Sequence, residues 1–484
     1  MKLFKQKIFT YSLTAALLVM GVGCKKYLDI NTDPTKATKV EPKLLFGYAI
    51  TAYSETRCSG DGWLPLAFMS QAIATGGSFG WGQINDYDIS TYSLGNVWKG
   101  YYNTSGNNLQ LAIKTALSST PVNNNAIAQC KIVLAELVYE ATTLYGDVPY
   151  SEAWNANFPY PHYDKQKDVL ENVIKLLDEA VAQFDESQPN LIIKDYDLFY
   201  NGDIAKWKKL ATSLKFRTLM LMVDADPSKA AAIGTLLAKP EAMIASAAEA
   251  WKFPYGKDAA RNNPKYRLIN ELNGGENNMF LANKAVIDYM LPKNDPRIPQ
   301  YFEPGADGQY RGVGTDQEAD ENDSYISSYL QRADAPDLLC SYQEILFLQA
   351  EAYARGLGVT KDLAKAQTLY KQALTTAMTF YEADPADIQT YMSSQLADLT
   401  TIADPVAEIH LQQWIDLMDR PLEGFTQWRR SGPDGQEVPA LTVPPQAPSG
   451  GLIRRWGFAP DEISANINIP KPAPLYSDKM WFDL

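Results

Sequence analysis

Two amphipathic segments separated by a glycine-containing break lie between Ser341 and Tyr381, and this pair constrains the fold more than any other stretch. In both segments apolar residues recur at three- and four-residue steps, which fits the buried stripe of an α-helix and not the two-residue period of a strand. Gly356 and Gly358 are expected to end the first helix, and Thr360 is the expected N-cap of the second. Such a pair cannot bury its apolar stripes alone, so further helices must pack against it.

The same helical period recurs along most of the chain. The spacing of Ala366, Tyr370 and Ala373 is typical of the second helix of a tetratricopeptide-type hairpin, in which small residues let two helices approach closely. Further apolar stripes predict helices over Leu44–Met69, Trp98–Ala116, Ile127–Tyr145, Val169–Phe184, Ile204–Met222 and Val406–Met418. Asp203 is expected to cap the helix that follows it. We therefore expect a mostly α-helical fold in which residues 44–484 form a single domain.

Two stretches interrupt this helical pattern. Between residues 251 and 337 proline, glycine, asparagine and tyrosine dominate, and an insertion this long in a compact helical protein is usually either functional or poorly ordered. Earlier in the chain, Gly76–Tyr92 combines glycines with aromatic and amide side chains. Because each glycine costs about 1 kcal/mol in a helix interior, this stretch predicts a loop that displays rings and amides. The proline-rich tail from Pro433 to Leu484 is expected to pack back over the body.

The charge and the histidine content exclude several classes of function. The net charge of −13 repels phosphate backbones, so nucleic acid is not an expected partner. With only His162 and His410, histidine acid–base chemistry and multi-histidine metal sites are hard to build. One acidic cluster lacks the spacing and the turn glycine of an EF-hand, so it predicts a solvated loop, and we expect no metal and no cofactor. Its members are Asp316, Asp320, Asn322 and Asp323.

The N-terminal segment has the pattern of a secretory signal peptide. Three lysines precede an apolar run over residues 8–23, which is too short to span a membrane comfortably because a span needs about 20 apolar residues. The junction before Cys24 resembles a bacterial lipobox, although glycine stands three residues before the cysteine, where leucine is usual. We therefore expect a signal peptide over residues 1–23, a lipidated Cys24 and a polar tether over residues 24–43. An ordinary signal peptide with an incidental cysteine is the alternative.

The remaining cysteines do not form the pattern of a disulfide scaffold, and no CxxC motif occurs. Cys130 and Cys340 fall on apolar helical stripes and are therefore expected to be buried thiols. Cys58 lies in a glycine-rich segment, and the sequence leaves its state open.

Five short motifs follow one another along the mature chain. They are CKKYLDINTDP from Cys24, LYGDVPYSEA from Leu144, YQEILFLQAEA from Tyr342, EGFTQWRRSG from Glu423 and RRWGFAPDE from Arg454. Together they closely resemble the SusD/RagB family of outer-membrane nutrient-binding lipoproteins. The resemblance implies a mostly α-helical body of tetratricopeptide-like hairpins, with long irregular loop insertions that form the ligand face. It also implies a lipid anchor in the outer membrane facing outwards, and a SusC-like TonB-dependent transporter as partner.

The function implied by this resemblance is binding without chemistry. We expect a cell-surface protein that binds a nutrient, in the first place a glycan and otherwise a peptide, and delivers it to the transporter. Such a protein is not an enzyme and has no catalytic residues. The charged residues of the family motifs are expected to form buried or half-buried ion-pair networks rather than a catalytic set. These residues are Glu423, Arg429, Arg430, Arg454 and Glu462.

The early loop and the insertion carry the side chains that a sugar would contact. Sugars present apolar CH faces and a rim of hydroxyls, which proteins meet with flat rings and with fixed polar groups. In glycan-binding relatives the site draws on both regions, so we expect them to converge here. The candidate ligand residues are Phe79, Trp81, Gln83, Asn85, Asp86, Tyr87, Tyr255, Tyr301, Tyr310 and Arg311. Trp98 and Tyr101, by contrast, are expected to pack in the core as part of a helix face.

Two other functions stay open at this point. A membrane-anchored glycoside or peptide hydrolase would need a pair of carboxylates, about 5–9.5 Å apart in a glycosidase, across an aromatic cleft. A structural lid or adhesin would associate tightly with the transporter while its loop face offered no pocket. The carboxylates and pockets of the loop face therefore distinguish both alternatives from a binding protein.

Overall fold

The helix pair that the sequence predicts forms a hairpin of Tyr342–Arg355 and Leu363–Phe380. Small side chains and rings fill the space between the two helices. Tyr370 is fully buried there, and its ring meets the ring of Phe347 edge to face at 6.1 Å. The prediction of a tetratricopeptide-like helical hairpin is confirmed.

Local chemistry explains how the two helices of this hairpin are connected. Gly356 has a φ of 78°, in the left-handed region that glycine adopts without steric penalty, and it ends the first helix. The second helix begins at Leu363 and is capped by Asp362, whose carboxylate accepts a hydrogen bond from the Lys365 backbone N–H at 2.9 Å. The prediction of Thr360 as the cap is therefore wrong, because the helix starts later than the sequence pattern indicates.

The structure is a computed structural model, and it describes residues 40–75, 87, 89–274, 280–447 and 450–484. Numbered in chain order, its helices are α1 Pro42–Cys58, α2 Trp63–Met69, α3 Thr91–Lys99, α4 Asn107–Leu117, α5 Asn124–Tyr145, α6 Gln166–Gln183, α7 Ile204–Met222, α8 Ala230–Leu237, α9 Pro264–Asn273, α10 Lys284–Met290, α11 Ile298–Tyr301, α12 Tyr342–Arg355, α13 Leu363–Phe380, α14 Pro385–Ser393, α15 Pro405–Asp416, α16 Pro421–Arg429 and α17 Pro460–Ala465. A π-helical turn, Gly100–Gly106, joins α3 to α4. Within the described ranges, no helix has the length and apolar character needed to cross a membrane.

Antiparallel helix packing builds the body of residues 42–484. α5 lies at its centre, and Asn124 and Lys131 are the only residues of this helix that are not buried. A helix that is covered on all sides in this way belongs to the core of a large helical fold. α4 and α6 pack on α5, α7 packs on α6, and α15 joins the α12–α13 hairpin. As predicted, Asp203 caps α7 by accepting a hydrogen bond from the Lys206 backbone N–H at 3.1 Å.

Short strands connect distant parts of the chain. The strands are β1 Ile73–Thr75, β2 Trp251–Phe253, β3 Phe280–Ala282, β4 Phe302–Glu303, β5 Tyr325–Ile326 and β6 Asp337–Cys340. β1, β3, β5 and β4 form an antiparallel sheet in that order, with Ile73 opposite Ala282 and Thr75 opposite Phe280. β2 and β6 pair at the two ends of the insertion.

The insertion contains more helix than the sequence pattern indicates. α9 and α10 both lie within residues 251–337, where the helical signal lapses. The side chain of Asn263 caps α9 by accepting a hydrogen bond from the Lys265 backbone N–H at 2.8 Å, and Pro264 occupies the first helical position. Asparagine followed by proline is a favourable helix start, which in a proline-rich segment looks like a loop.

The irregular tail packs back over the body, as expected. Trp456, Phe458 and Phe482 are all buried. The backbone N–H of Trp456 donates a hydrogen bond to the carbonyl of Leu144 at the end of α5. A buried aromatic anchor of this kind fixes a segment that has little secondary structure of its own.

Several buried charges of the body form ion pairs, and this confirms the expected role of three family-motif residues. Glu423 accepts from Arg57 at 2.8 Å, and Arg430 forms a bidentate pair with Glu351. Arg454 contacts Asp483 at 2.9 Å. The same interior holds further networks of this kind.

Arg429 and Glu462 differ from that expectation. The guanidinium of Arg429 is fully buried but donates to the carbonyls of Thr143 and Arg454 instead of to a carboxylate, and burial lowers the pKa of Arg429 to about 9. The carboxylate of Glu462 is half-buried and accepts a hydrogen bond from the Tyr163 hydroxyl at 3.0 Å. Both residues thus bind neutral groups instead of forming the expected ion pairs.

The cysteines of the described residues are free thiols. Cys130 and Cys340 are buried, as predicted, and Cys58 is buried as well. Burial raises the pKa of the Cys58 thiol well above its ordinary value, so this side chain is an inert apolar residue. Cys24 lies outside the described residues.

Candidate functional site

The four-stranded sheet brings the early part of the chain to the insertion. β1 precedes the glycine-rich stretch directly in sequence, and it pairs with β3 of the insertion. Ala74 of β1, Leu281 of β3 and Val313 form a small buried cluster, on which Tyr325 of β5 packs. The two regions from which the sequence predicts a shared ligand site are therefore connected through their strands.

Half of the candidate ligand residues lie outside the described residues. They are Phe79, Trp81, Gln83, Asn85 and Asp86. Tyr87, the next candidate, is 2% exposed, and its hydroxyl accepts a hydrogen bond from the Gln71 side chain at 2.9 Å. Burial raises the pKa of this hydroxyl, which stays protonated. Tyr87 therefore anchors the end of the glycine-rich stretch to the body.

Two candidate tyrosines of the insertion are buried or half-buried and contact residues of the protein interior. Tyr301 is 0% exposed, and its ring meets the ring of Tyr381 edge to face at 4.8 Å. A ring enclosed in this way has no face on which a sugar could stack, so the structure does not fit its predicted ligand role. Tyr255 is half-buried, and its hydroxyl lies 2.9 Å from that of Ser54, which in turn donates to Asp337.

Tyr310 and Arg311 lie on the surface. Tyr310 lines a pocket of about 380 Å³ between the end of α10 and α14, together with Lys293, Asn294 and Asp387. Arg311 is exposed and forms an ion pair with Asp307. Of the described candidates, these two offer side chains that a ligand could reach.

A second surface, which the sequence does not predict, is lined by stacked rings. Tyr163, Trp98, Tyr102 and Trp154 form a column in which neighbouring ring centroids lie 6.3, 4.3 and 5.3 Å apart. The three ring pairs have interplanar angles of 14°, 26° and 20°, so the rings are nearly parallel. Trp98, Tyr102 and Trp154 line one side of a pocket of about 440 Å³, which we call the aromatic pocket. Phe158, 42% exposed, lines it as well.

Residues from distant segments hold this column in place. Asp164 joins the two ends of the loop over residues 148–164. Its carboxylate accepts hydrogen bonds from the backbone N–H groups of Tyr150 and Ser151 at 2.8 and 2.9 Å. Trp154 on this loop donates its indole N–H to the carbonyl of Tyr102 at 2.8 Å. At the other end of the column, burial and the neighbouring Glu462 carboxylate raise the pKa of Tyr163.

Spacing alone could not reveal this pocket. Trp98 has the period of a helix face and is indeed 6% exposed, but the edge of its ring reaches the pocket. The usable signal is the composition of residues 149–163, where rings alternate with proline and asparagine, whereas in Gly76–Tyr92 they alternate with glycine. The column itself depends on contacts between α3, the π-helical turn and the 148–164 loop.

The aromatic pocket gives little support to glycosidase chemistry. Glu462 is the only carboxylate among the residues that line the aromatic pocket, whereas a glycosidase needs a pair. Glu136, Glu140 and Glu423 lie close together, but Arg57 and Arg217 form ion pairs with them. These carboxylates are therefore part of a buried ion-pair network.

Both histidines, which a serine hydrolase would need as its base, already have side-chain partners in the protein. Residues 76–80 read GGSFG and fit a GxSxG string, whose serine would need a histidine as its base. The ring of His410 is buried, with its Nδ1 2.6 Å from the Gln427 amide, and burial lowers the pKa of His410 to about 4. The ring of His162 contacts Glu152 at 2.9 Å.

A helical-hairpin body that carries aromatic-lined surface pockets is the architecture that the described residues show. More specifically, the chain belongs to the SusD-like family, since the family model described as starch-binding and associating with the outer membrane matches residues 37–452. No curated protein matches the chain.

Solved structures share this fold over nearly the whole chain. A chitin-binding protein is similar with a TM-score of 0.76 and 25% identity, covering 90% of this chain and 100% of its own. A SusD/RagB family protein from Bacteroides thetaiotaomicron has a TM-score of 0.75 and 20% identity, covering 92% of this chain and 99% of its own. A chitin-binding SusD homologue from Flavobacterium johnsoniae has a TM-score of 0.73 and 19% identity, covering 92% and 98%.

Proposed function

We propose that this protein is a cell-surface glycan-binding lipoprotein that delivers its ligand to a SusC-like TonB-dependent transporter and performs no chemistry on it. The observation that carries the proposal is the family match, which covers most of the chain and whose description names both a glycan and the outer membrane. The pairing of β1 with β3 supports it, because it connects the ring-bearing early stretch to the insertion.

The proposed anchor is the acyl-modified Cys24. The signal-peptide pattern over residues 1–23 and the polar stretch over residues 24–43 would place the folded body outside the outer membrane on a short tether. Cys24→Ala is expected to release the protein from the membrane fraction and to abolish labelling by a radioactive fatty acid. Continued labelling of this variant would contradict the anchor.

The proposed ligand is a neutral glycan held by the glycine-rich stretch and the insertion. An acidic protein surface disfavours anionic sugars, and rings interspersed with amides suit the CH faces and hydroxyls of neutral ones. The names of two relatives point to chitin and the family description to starch, so oligosaccharides of both are the first probes. A peptide is the alternative ligand.

Calorimetric titration tests this proposal. We expect the wild-type protein to bind at least one of a soluble chitin oligosaccharide and a malto-oligosaccharide, and Trp81→Ala to weaken that binding about tenfold or more. Tyr48→Ala is the matched control, because it removes an exposed ring on α1, outside the predicted ligand residues. This variant should bind like the wild type. Binding of peptides but of no glycan in a broad panel would replace the glycan by the alternative ligand.

A further inference from the structure

The aromatic pocket lies beside the π-helical turn, and none of the predicted ligand residues that the structure describes lines it. We propose that it is a second carbohydrate-binding site, for a neutral glycan chain. The pocket is about 440 Å³, within the roughly 300–1,000 Å³ typical of small-molecule sites. The proposal rests on the proposed function for the class of ligand, and on the geometry of the pocket for its position.

The wall of the pocket is suited to the apolar face of a sugar. Trp154 is half-buried at the end of the ring column, and Phe158 exposes 42% of its surface beside it. Pro149, Pro159 and Pro161 also line the pocket. Prolines and rings present rigid CH and π surfaces that lose little conformational entropy when a ligand binds.

The backbone conformation at Trp154 and the glycine at position 106 together fix the position of the Trp154 indole. Its φ is 56°, in the left-handed region that a bulky side chain rarely adopts. A Cβ atom on Gly106 would lie 2.5 Å from the indole ring of Trp154, so a glycine at this position is needed for the indole to pack on the π-helical turn. π-helical segments and left-handed bulky residues are both concentrated at functional sites. Here the two occur together, and they contact each other.

Polar groups around the pocket are available to hydroxyls. Asn103 and Asn107 line it, and their side chains make no hydrogen bond within the part of the chain that the structure describes. The Asn155 side-chain oxygen accepts from the backbone of Asn157, which leaves its NH₂ group as a donor. The Oε2 atom of Glu462 accepts the hydrogen bonds from Tyr163 and Asn466. The Oε1 atom can therefore accept a hydrogen bond from a sugar hydroxyl.

This set of groups favours a neutral ligand. The amides of Asn103 and Asn107 can each donate and accept, and that of Asn155 can donate, which matches vicinal hydroxyls and acetamido groups. The one charged group in the lining is the carboxylate of Glu462, which would repel a uronic or phosphorylated sugar. A protein partner would instead require an extended apolar surface, and the amides and the carboxylate would be costly to bury without partners.

The test separates the two sites by calorimetry of the full-length protein with a soluble chitin oligosaccharide and a malto-oligosaccharide. We expect Trp81→Ala to retain measurable binding of one probe, and the added change Phe158→Ala to weaken that residual binding about tenfold or more. Asn107→Ala should weaken it as well, since it removes a hydrogen-bonding group while keeping every ring. Tyr48→Ala is the control for loss of an exposed ring outside the pocket.

Three other results would overturn the proposal of a second site, and each has a different meaning for the proposed function. If Trp81→Ala alone abolishes all binding, the proposed function stands and the second site does not. If the wild-type protein binds neither probe, the second site fails with both. If Phe158→Ala leaves sugar binding intact but abolishes co-purification with the transporter, the pocket is a docking surface for protein.

Discussion

The interior of the helical body and the aromatic pocket treat polar groups in opposite ways. Inside the body, Arg420 is 2% exposed and its guanidinium contacts Glu344 at 2.6 Å and Asp416 at 3.0 Å. At the pocket, the amides of Asn103 and Asn107 bind no described residue of the protein. The difference teaches that buried, mutually paired charges such as these serve folding, whereas the unpartnered amides beside stacked rings are available to a ligand. The following predictions, ordered by expected effect, test this contrast.

The largest loss of stability is expected from a buried arginine. Arg420→Ala leaves Glu344 and Asp416 buried without their shared cation, and breaking a buried pair in this way costs about 3–5 kcal/mol. Urea unfolding followed by circular dichroism measures the change. Arg311→Ala removes an exposed arginine and should leave the unfolding midpoint unchanged. A loss for Arg420→Ala below about 1 kcal/mol, the scale of an exposed pair, would contradict the contrast.

A pH-dependent loss of stability is expected from the buried His410. Burial lowers the pKa of His410 from 6.5 to about 4 in the folded protein. Between these values the unfolded chain binds a proton that the folded chain does not, so stability falls as the pH falls from 6.5 to 4. The contribution is up to about 3 kcal/mol.

His410→Gln removes this titration while keeping a polar side chain beside the Gln427 amide. Unfolding free energies measured at pH 7, 5.5 and 4.5 should therefore decline less steeply for the variant than for the wild type. Equal slopes for the two proteins would mean that burial does not shift the pKa of His410 from its value in the unfolded chain.

A smaller loss of stability, accompanied by a loss of sugar binding, is expected from a change in the π-helical turn. In Gly106→Ala the new methyl group would lie 2.5 Å from the Trp154 ring, and overpacking of this kind costs about 1–3 kcal/mol. It should also displace Trp154 and weaken any sugar binding in the aromatic pocket. Gly95→Ala in α3 is the matched control, because its methyl group would meet Pro460 at an ordinary 3.6 Å. If both variants behave alike, the close approach at Gly106 has no structural importance.

The smallest effect on stability is expected from Phe158→Ala, the variant for which we expect a large loss of sugar binding. Phe158 is exposed, so Phe158→Ala should change the unfolding free energy by less than about 0.5 kcal/mol. Unfolding by urea, run beside the sugar titrations, distinguishes a lost contact from a lost fold. A clear destabilisation would place Phe158 with the core residues and remove it from the proposed site.

The helical body could be predicted well from the sequence because its signals are local. Apolar stripes predict α5, α7 and the α12–α13 hairpin, and Asp203 is a cap whose effect extends only three residues. The errors also have local causes. Thr360 and Asp362 are both acceptable caps, and only the packed hairpin decides between them. Asn263 and Pro264 begin a helix inside a segment whose composition indicates a loop.

The candidate surfaces could be predicted less well because exposure is a tertiary property. Tyr301 and Tyr310 are nine residues apart in the same insertion, yet one ring is enclosed by the core and the other lines a pocket. Trp98 reads as a core residue and is mostly buried, but it stacks on Tyr102 beside the pocket. Neither outcome follows from the period of the residues, since both depend on which distant segment packs against them.

The most direct measurement for the central claim is the binding of soluble chitin and malto-oligosaccharides to the wild-type protein by isothermal titration calorimetry. Our account predicts saturable binding of at least one of them and recovery of the sugar at its original length. An absence of binding heat for both, or shortened sugar after incubation, would contradict a protein that holds a nutrient without altering it.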